Sequence, residues 1–359
     1  MIKFEDLLFF FIGFSAALVV SLGHLSLPFE GTVGSDSYFY FLKMLDDNSS
    51  CIDHEASGKA FVCFGKVLFL ISPIDQHFIL VCALYVIYAT IVICMLKSFE
   101  RNKAKVMLLV YLNPIIIWTI SRGLKEVLIF ASLAVAFIIL ERKKYTLFWL
   151  FLICILLEYI KPSGGLMLLI SLFFAYFTSK IRNQKLAILA ISSCMVFVIL
   201  RAQEFLQGSA IFMHRSLTLG QDNAVSLISF GKNAIRFLLG PGPIRAVENF
   251  FYSNSFLVSS KVGDIYIFFG ALLWWILVAG FAFIFGLKLL NMGSNTSHTR
   301  LDMPRLLFFW YGLIYIFSYT VAYDGTGDTR HRAVLYFCWS MLIVEYIFSI
   351  RKSFSLKTT

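Results

Sequence analysis

The chain has 359 residues, of which 59% are hydrophobic and 14% are charged, and its mean hydropathy is +0.80. Soluble domains are about 45–50% apolar and about 25% charged, so this composition excludes a soluble globular protein. The net charge of +10 does not indicate a nucleic-acid partner, because the basic residues are spread over short loops. The sequence predicts an all-α polytopic membrane protein with a single integral membrane domain, residues 1–359.

Ten apolar segments are predicted to cross the membrane as helices, since a span needs about 20 predominantly apolar residues. The first is expected to be retained rather than cleaved as a signal peptide, because no small-residue cleavage site accompanies it. In chain order the segments are Leu7–Leu27, His77–Leu96, Val106–Ser121, Val127–Leu140, Thr146–Ile160, Leu166–Thr178, Leu186–Leu200, Ile265–Leu287, Leu306–Tyr323 and Ala333–Ile350.

Two further segments are predicted to stay outside the bilayer core. Ala60–Ser72 is short, contains Lys66 and ends before Pro73. Apolar segments of about 10–14 residues are more often interfacial or re-entrant than spanning, so this one is assigned to a first extracytoplasmic loop, residues 28–76. The long polar stretch of residues 201–264 is predicted to form a second extracytoplasmic loop with short helices of its own.

The basic loops fix the predicted orientation, because Lys and Arg in short loops favour the cytoplasm. The four strongest clusters are residues 97–105, 141–144, 179–185 and 351–357. They share one side only if Ala60–Ser72 does not cross, which puts both termini in the cytoplasm. The remaining polar features then gather on the outer face, at residues 28–58, 122–126, 161–165, 201–264 and 324–332.

The seven cysteines divide into two groups. Cys51 and Cys63 lie in the first predicted loop, where they form either a disulfide or two separate thiols. The others lie within apolar segments and are interpreted as small hydrophobic residues, namely Cys82, Cys94, Cys154, Cys194 and Cys338.

Three residues are candidates for a catalytic base. Asp36 lies among aromatic residues in GSDSYFYF, and its carboxylate suits either a general base or a helix N-cap. Glu126 is a second candidate, or it pairs with Arg122 or Lys125. His214 in the long loop is a third, although a lone histidine is more often structural.

Basic residues on the predicted outer face are candidates for binding an anion. Arg122 and Lys125 are three apart, so a helix would put them on one face, to bind a head group or to snorkel to the interface. Lys161 opens KPSGG, which is either a tight turn or a site where backbone N–H groups bind an anion. The long loop adds Arg215, and Arg245 beyond the rigid corner GPGP.

The sharpest of these motifs is Arg330-His331-Arg332, directly before the last predicted span. Arginine stays charged and binds phosphate oxygens through a planar fork, so this motif favours a diphosphate over a sugar hydroxyl. Interfacial anchoring is the alternative, but basic anchors usually lie on the cytoplasmic side. The sequence shows no metal-binding constellation and indicates no cofactor.

Together these residues resemble a known family. The chain resembles the multi-spanning GT-C glycosyltransferases, and most of all the Wzy-type O-antigen and capsule repeat-unit polymerases. Three features carry the resemblance: Asp36 after the first span, an NP…S…KE segment midway, and Arg330 and Arg332 before the last span. The residues of the NP…S…KE segment are Asn113, Pro114, Ser121, Lys125 and Glu126.

The resemblance implies a bacterial inner-membrane enzyme with a periplasmic active site. Its substrates would be undecaprenyl-diphosphate-linked oligosaccharides among membrane lipids, and a chain-length regulator is a candidate partner protein. Asp36 would act as base and Arg330 and Arg332 would bind the diphosphate, supported by Arg122 and Lys125. The motif here reads DSY rather than a pair of acids, which leaves Glu126, His214 and Asp328 as alternative bases.

Two other functions stay open at this point. One is a GT-C enzyme that adds a single sugar from a polyprenyl-monophosphate donor. The other is a lipid-linked glycan flippase or transporter, which should have broken helices and charged groups at mid-membrane. The predicted spans are interrupted mainly at their ends, which favours an enzyme over a transporter.

Overall fold

The computed structural model describes residues 4–25, 41–46, 59–71, 76–142, 146–205, 226–240, 251, 258–290, 301–323 and 329–355. Within these ranges the regular structure is helical, which confirms the all-α prediction. The principal helices are α1 (Phe4–Leu25), α2 (Lys59–Ile71), α3 (Gln76–Leu96), α4 (Arg101–Tyr111), α5 (Pro114–Ser121), α6 (Glu126–Arg142), α7 (Thr146–Ile160), α8 (Gly164–Lys180), α9 (Gln184–Phe205), α10 (Leu227–Leu239), α11 (Val258–Leu290), α12 (Met303–Tyr323) and α13 (Thr329–Ser355).

Over the described residues, two helical stretches are long and apolar enough to cross a membrane, namely Gln76–Leu96 and Asp264–Phe283. The α4–α5 pair qualifies as a third if its two helices form one bent span. Shorter apolar helices accompany them, and the chain is therefore a helical membrane protein. The number of ten spans stays a prediction. So does the pairing of Cys63, because Cys51 lies outside the described residues.

The predicted span Val106–Ser121 is not one straight helix, because the helix breaks at Asn113 and its two halves are bent by 53°. Pro114 has no N–H to continue the hydrogen-bond ladder, and its ring clashes with the preceding turn. The buried Asn113 side chain caps the new helix by accepting a bond from the Ile115 N–H at 2.8 Å. Its amide also donates to the Gly270 carbonyl of α11 at 3.4 Å, so the break is closed by polar contacts.

Helices α12 and α13 are buried along much of their length. Helix α12 packs against α6, α8 and α10, and α13 packs against α4, α5, α11 and α12. Phe337 of α13 joins the aromatic interior, with its ring centroid 5.0 Å from that of Tyr111 and 5.3 Å from that of Phe130. The Tyr88 hydroxyl donates to the Tyr111 carbonyl at 2.7 Å, which supplies the partner that a buried hydroxyl needs.

Charged residues join the helices at one end of the bundle. Arg305 at the start of α12 binds Glu345 of α13 at 2.8 Å and Glu141 of α6 at 3.2 Å. Lys105 and Arg101 of α4 bind Glu5 of α1, and these bonds hold the pKa of the Glu5 carboxyl below its ordinary value. Glu126 lies at the other end of α6, about 22 Å from Glu141 along the helix axis, since the two are 15 residues apart.

Candidate functional site

A buried carboxylate and a buried imidazole meet at the start of α6 and α13. Glu126 is fully buried, and its Oε1 lies 3.7 Å from Nδ1 of His331. Neither carboxylate oxygen accepts a hydrogen bond from the part of the chain that the structure describes. Burying a carboxylate without donors is costly, so a hydrogen-bond donor placed next to Glu126 would bind its oxygens strongly.

A tight turn sets the position of Glu126. Arg122 ends α5, and Gly123 adopts φ of +60°, a conformation that favours glycine. Leu80 is so close that a Cβ on Gly123 would lie 3.0 Å from its Cδ2. Arg122 and Lys125 therefore belong to a turn between two helices, and the prediction that they share one helix face is wrong.

The two basic side chains of this turn, Arg122 and Lys125, pack against the protein rather than extending into solvent. The Arg122 guanidinium lies over the Trp118 ring, with Cζ 4.8 Å from its centroid. Lys125 is 7% exposed and directly precedes Glu126. Arg122 and Lys125 thus lie in the turn that leads into Glu126, the first residue of α6.

Lys161, just after α7, connects to the same end through two tyrosines. Its ammonium donates to the hydroxyls of Tyr315 at 2.8 Å and Tyr319 at 2.6 Å. The Tyr319 ring in turn packs against the His331 ring, with centroids 4.4 Å apart. Lys161 is therefore linked to the Glu126–His331 pair through side chains of α12.

Of the two alternatives for KPSGG, the structure favours the tight turn, because a carboxylate of the chain already occupies its backbone N–H groups. Glu158 of α7 accepts bonds from the N–H groups of Ser163 at 2.7 Å, Gly165 at 3.0 Å and Leu166 at 3.3 Å. An anion at a helix N-terminus is electrostatically favourable, and here Glu158 supplies it. Glu158 is thus a helix cap, and Lys161 is the residue of this motif that joins the site.

Arg332 enters the site from α13 and is only 7% exposed. Its Cζ lies 5.8 Å from the centroid of the Phe237 ring on α10. That ring also stacks on Tyr319, with centroids 5.6 Å apart. Helix α10 therefore covers the end of the bundle where Arg332, His331 and Tyr319 meet.

The structure thus brings together four of the predicted site residues, Glu126, Lys161, His331 and Arg332, with Arg122 and Lys125 in the adjoining turn. Arg330 is described only as backbone in the first turn of α13. The other predicted site residues lie outside the described residues, namely Asp36, His214, Arg215 and Arg245.

Sequence reasoning missed the aromatic members of the site, Tyr315, Tyr319 and Phe237, and also Gly240. The tyrosines carried a usable signal, because Tyr311, Tyr315 and Tyr319 are spaced by four and therefore share one helix face. Phe237 and Gly240 carried none, since their role depends on how α10 docks.

The described part of the site is strongly positive. Four basic residues lie at this end of the bundle, Arg122, Lys125, Lys161 and Arg332, against two carboxylates, the buried Glu126 and the helix-capping Glu158. No group of three His, Cys, Asp or Glu side chains suited to a metal ion occurs among the described residues. The arrangement therefore suits an anion next to a proton acceptor. No family model, curated protein or solved structure matches this chain.

Proposed function

We propose that this protein is a polymerase that joins polyprenyl-diphosphate-linked oligosaccharide repeat units into O-antigen or capsular polysaccharide. The observation that carries the proposal is the buried Glu126 carboxylate beside His331, at the same helix ends as Arg332 and Lys161. The proposal includes a GT-C-like arrangement of about ten spans in the bacterial inner membrane, with both termini cytoplasmic and the site periplasmic.

The cations suit the leaving group of this reaction. When the anomeric carbon of the donor is attacked, its bond to the diphosphate oxygen breaks and the electron pair stays on that oxygen. Fixed cations stabilise charge that develops in this way, and arginine is well matched to phosphate oxygens. Arg332 is assigned to the diphosphate, with Lys161, Arg122 and Lys125 in support.

The Glu126 carboxylate suits the acceptor substrate of this reaction. A sugar hydroxyl of the second lipid-linked unit forms the new bond to the anomeric carbon and loses its proton. Glu126 is assigned as the group that takes this proton, because its oxygens accept no hydrogen bond from the described residues. Asp36, the base implied by family resemblance, and His214 are the alternatives.

A flippase or transporter is the second candidate, and the break at Asn113 favours it because broken helices are typical of transporters. However, both polar groups of the Asn113 side chain bind backbone within the protein, and the side chain is fully buried. A substrate site at the break would need polar groups directed at the substrate. The break is therefore better explained as a structural bend.

The proposal is tested in cells that depend on this protein for their surface polysaccharide. Arg332→Ala should leave the protein level intact and yield glycan with a single repeat unit, read as the loss of the ladder on a gel. Exposed Arg101→Ala, at the other end of the bundle, is the matched control and should keep the ladder. Normal chain lengths in Arg332→Ala would contradict the proposal, and a fixed increment of one sugar would indicate the monophosphate-dependent transferase.

A further inference from the structure

We propose that Gly240, at the end of α10, is a positioning residue that sets where the Arg332 guanidinium lies and hence how tightly the site binds a diphosphate. The inference rests on the proposed function for the identity of the ligand. In this proposal helix α10 of the long loop has a role in binding, because the end of its last turn fixes the position of the phosphate-binding arginine.

The first observation is a close approach between the Gly240 backbone and the Arg332 guanidinium. A Cβ on Gly240 would lie 2.7 Å from both Cζ and Nη2 of Arg332, far closer than real Cβ contacts. The backbone of Gly240 does not itself require glycine, because φ of −86° and ψ of 167° are ordinary extended values. The close neighbours, the Arg332 guanidinium and the Arg236 carbonyl at 2.9 Å, are therefore the reasons for glycine at this position, and of the two only the guanidinium belongs to a flexible side chain that a methyl group would displace.

The second observation is that hydrogen bonds anchor the end of α10. A methyl group on Gly240 would therefore displace the Arg332 side chain rather than the Gly240 backbone. The indole N–H groups of Trp274 and Trp275 donate to the carbonyls of Leu238 and Leu239, both at 2.8 Å. The Tyr336 hydroxyl donates to the carbonyl of Gly240. Three consecutive carbonyls that a helix end leaves without partners are thus bound by α11 and α13.

The same helix end attracts the guanidinium. Carbonyl groups at a helix C-terminus carry partial negative charge, which favours a cation beside them. Arg332 lies next to this end and over the face of the Phe237 ring, one turn earlier in α10. Ring face, helix end and bare Gly240 backbone together define one position for the guanidinium, and a methyl group on Gly240 would push it out of that position.

A pair of glycine substitutions separates this role from a general effect on the helix. Gly240→Ala adds a methyl group against Arg332, and it also approaches the Arg236 carbonyl at 2.9 Å. Gly231→Ala adds the same methyl group to the same helix where nothing lies within 4 Å. Gly231 lies inside α10 and Gly240 directly follows its last residue, so Gly231→Ala controls for an added methyl group on this segment, and the Arg332→Ala background isolates the contact with the guanidinium.

The experiment measures the dissociation constant of inorganic diphosphate for the full-length protein in detergent, by titration calorimetry, for wild type, Gly240→Ala, Gly231→Ala, Arg332→Ala and Gly240→Ala/Arg332→Ala. We expect Gly240→Ala to weaken binding about tenfold, as for side chains coupled by direct contact. Gly231→Ala should bind like wild type. In the Arg332→Ala background, Gly240→Ala should have no further effect, which a merely structural defect would not produce.

The outcomes separate the two proposals. If wild type does not bind diphosphate, the proposed function fails. If wild type binds and Arg332→Ala weakens binding but Gly240→Ala does not, the proposed function stands and the role of Gly240 is overturned. Equal losses from Gly240→Ala with and without Arg332 would also overturn it, because the effect would then not act through the guanidinium.

Discussion

Nδ1 of His331 lies 3.7 Å from Oε1 of Glu126, which joins the first turn of the last helix to the first turn of α6. Both side chains are almost completely buried. Nδ1 is the ring nitrogen that faces the carboxylate, at a separation longer than a hydrogen bond. This relationship brings the most conspicuous sequence motif, Arg330-His331-Arg332, to the buried carboxylate of the NP…S…KE segment.

Replacing the Glu126 carboxylate by an amide should slow polymerisation strongly with little effect on the fold. Glu126→Gln keeps the size and removes the proton acceptor, and loss of a general base typically lowers a rate by about 10²–10⁴-fold. The measurement is the initial rate of repeat-unit joining by purified protein, with thermal unfolding as the control. A rate within twofold of wild type would assign the base to another residue, such as Asp36.

The cluster around Arg305 should matter for stability rather than activity. Arg305→Ala leaves Glu345, whose side chain is 12% exposed, without its partner; breaking a fully buried pair costs about 3–5 kcal/mol, and we expect a smaller loss for this partly buried one. Arg305→Met combined with Glu345→Met should recover much of this loss, because it removes both partly buried charges. Thermal unfolding in detergent measures both variants.

The control for this prediction is the exposed pair of Arg101 and Glu5. The Arg101 side chain is 69% exposed, and exposed ion pairs contribute about 0–1 kcal/mol. Arg101→Ala should therefore unfold at nearly the wild-type temperature. Equal losses for Arg101→Ala and Arg305→Ala would contradict the view that burial makes the Arg305 cluster important.

Ser163→Gly should stabilise the folded protein, whereas the same substitution inside a helix should destabilise it. Its φ of 64° is left-handed, which costs a residue with a Cβ about 1–2 kcal/mol. The bond from its N–H to Glu158 does not depend on the side chain. Ser163→Gly should therefore raise the unfolding temperature, measured by differential scanning fluorimetry.

Ser193 provides the matched control, because it is exposed in the middle of α9. Ser193→Gly should destabilise the helix by roughly 0.5 kcal/mol through the greater backbone freedom of glycine. If both substitutions lower the unfolding temperature, the left-handed conformation of Ser163 is not a source of strain.

The sequence predicted the helices well because most are single apolar segments with polar ends. Thr146–Ile160 matches the prediction at both ends. The break at Asn113 was missed because apolar residues lie on both sides of it, and the Asn-Pro pair was interpreted as part of a functional motif rather than as a helix end. Hydropathy alone does not distinguish one straight helix from two bent ones.

The site was predictable in its charges and not in its contacts. Arg332, Lys161 and Glu126 attracted attention because charged residues beside apolar segments are costly. The role of Glu158 was not visible, since its bonds to the following turn depend on the left-handed conformation of Ser163. The close contact between Gly240 and Arg332 depends on how α10 docks, and the local sequence carries no signal for that docking.

The most direct test of the central claim is reconstitution of the purified protein in liposomes with undecaprenyl-diphosphate-linked repeat units. We expect a ladder of products that grow by whole repeat units, with one undecaprenyl diphosphate released for each bond formed. Arg332→Ala should remove both the ladder and the released lipid. Products of a single fixed increment, or no joining while the same protein moves the lipid across the bilayer, would contradict the account.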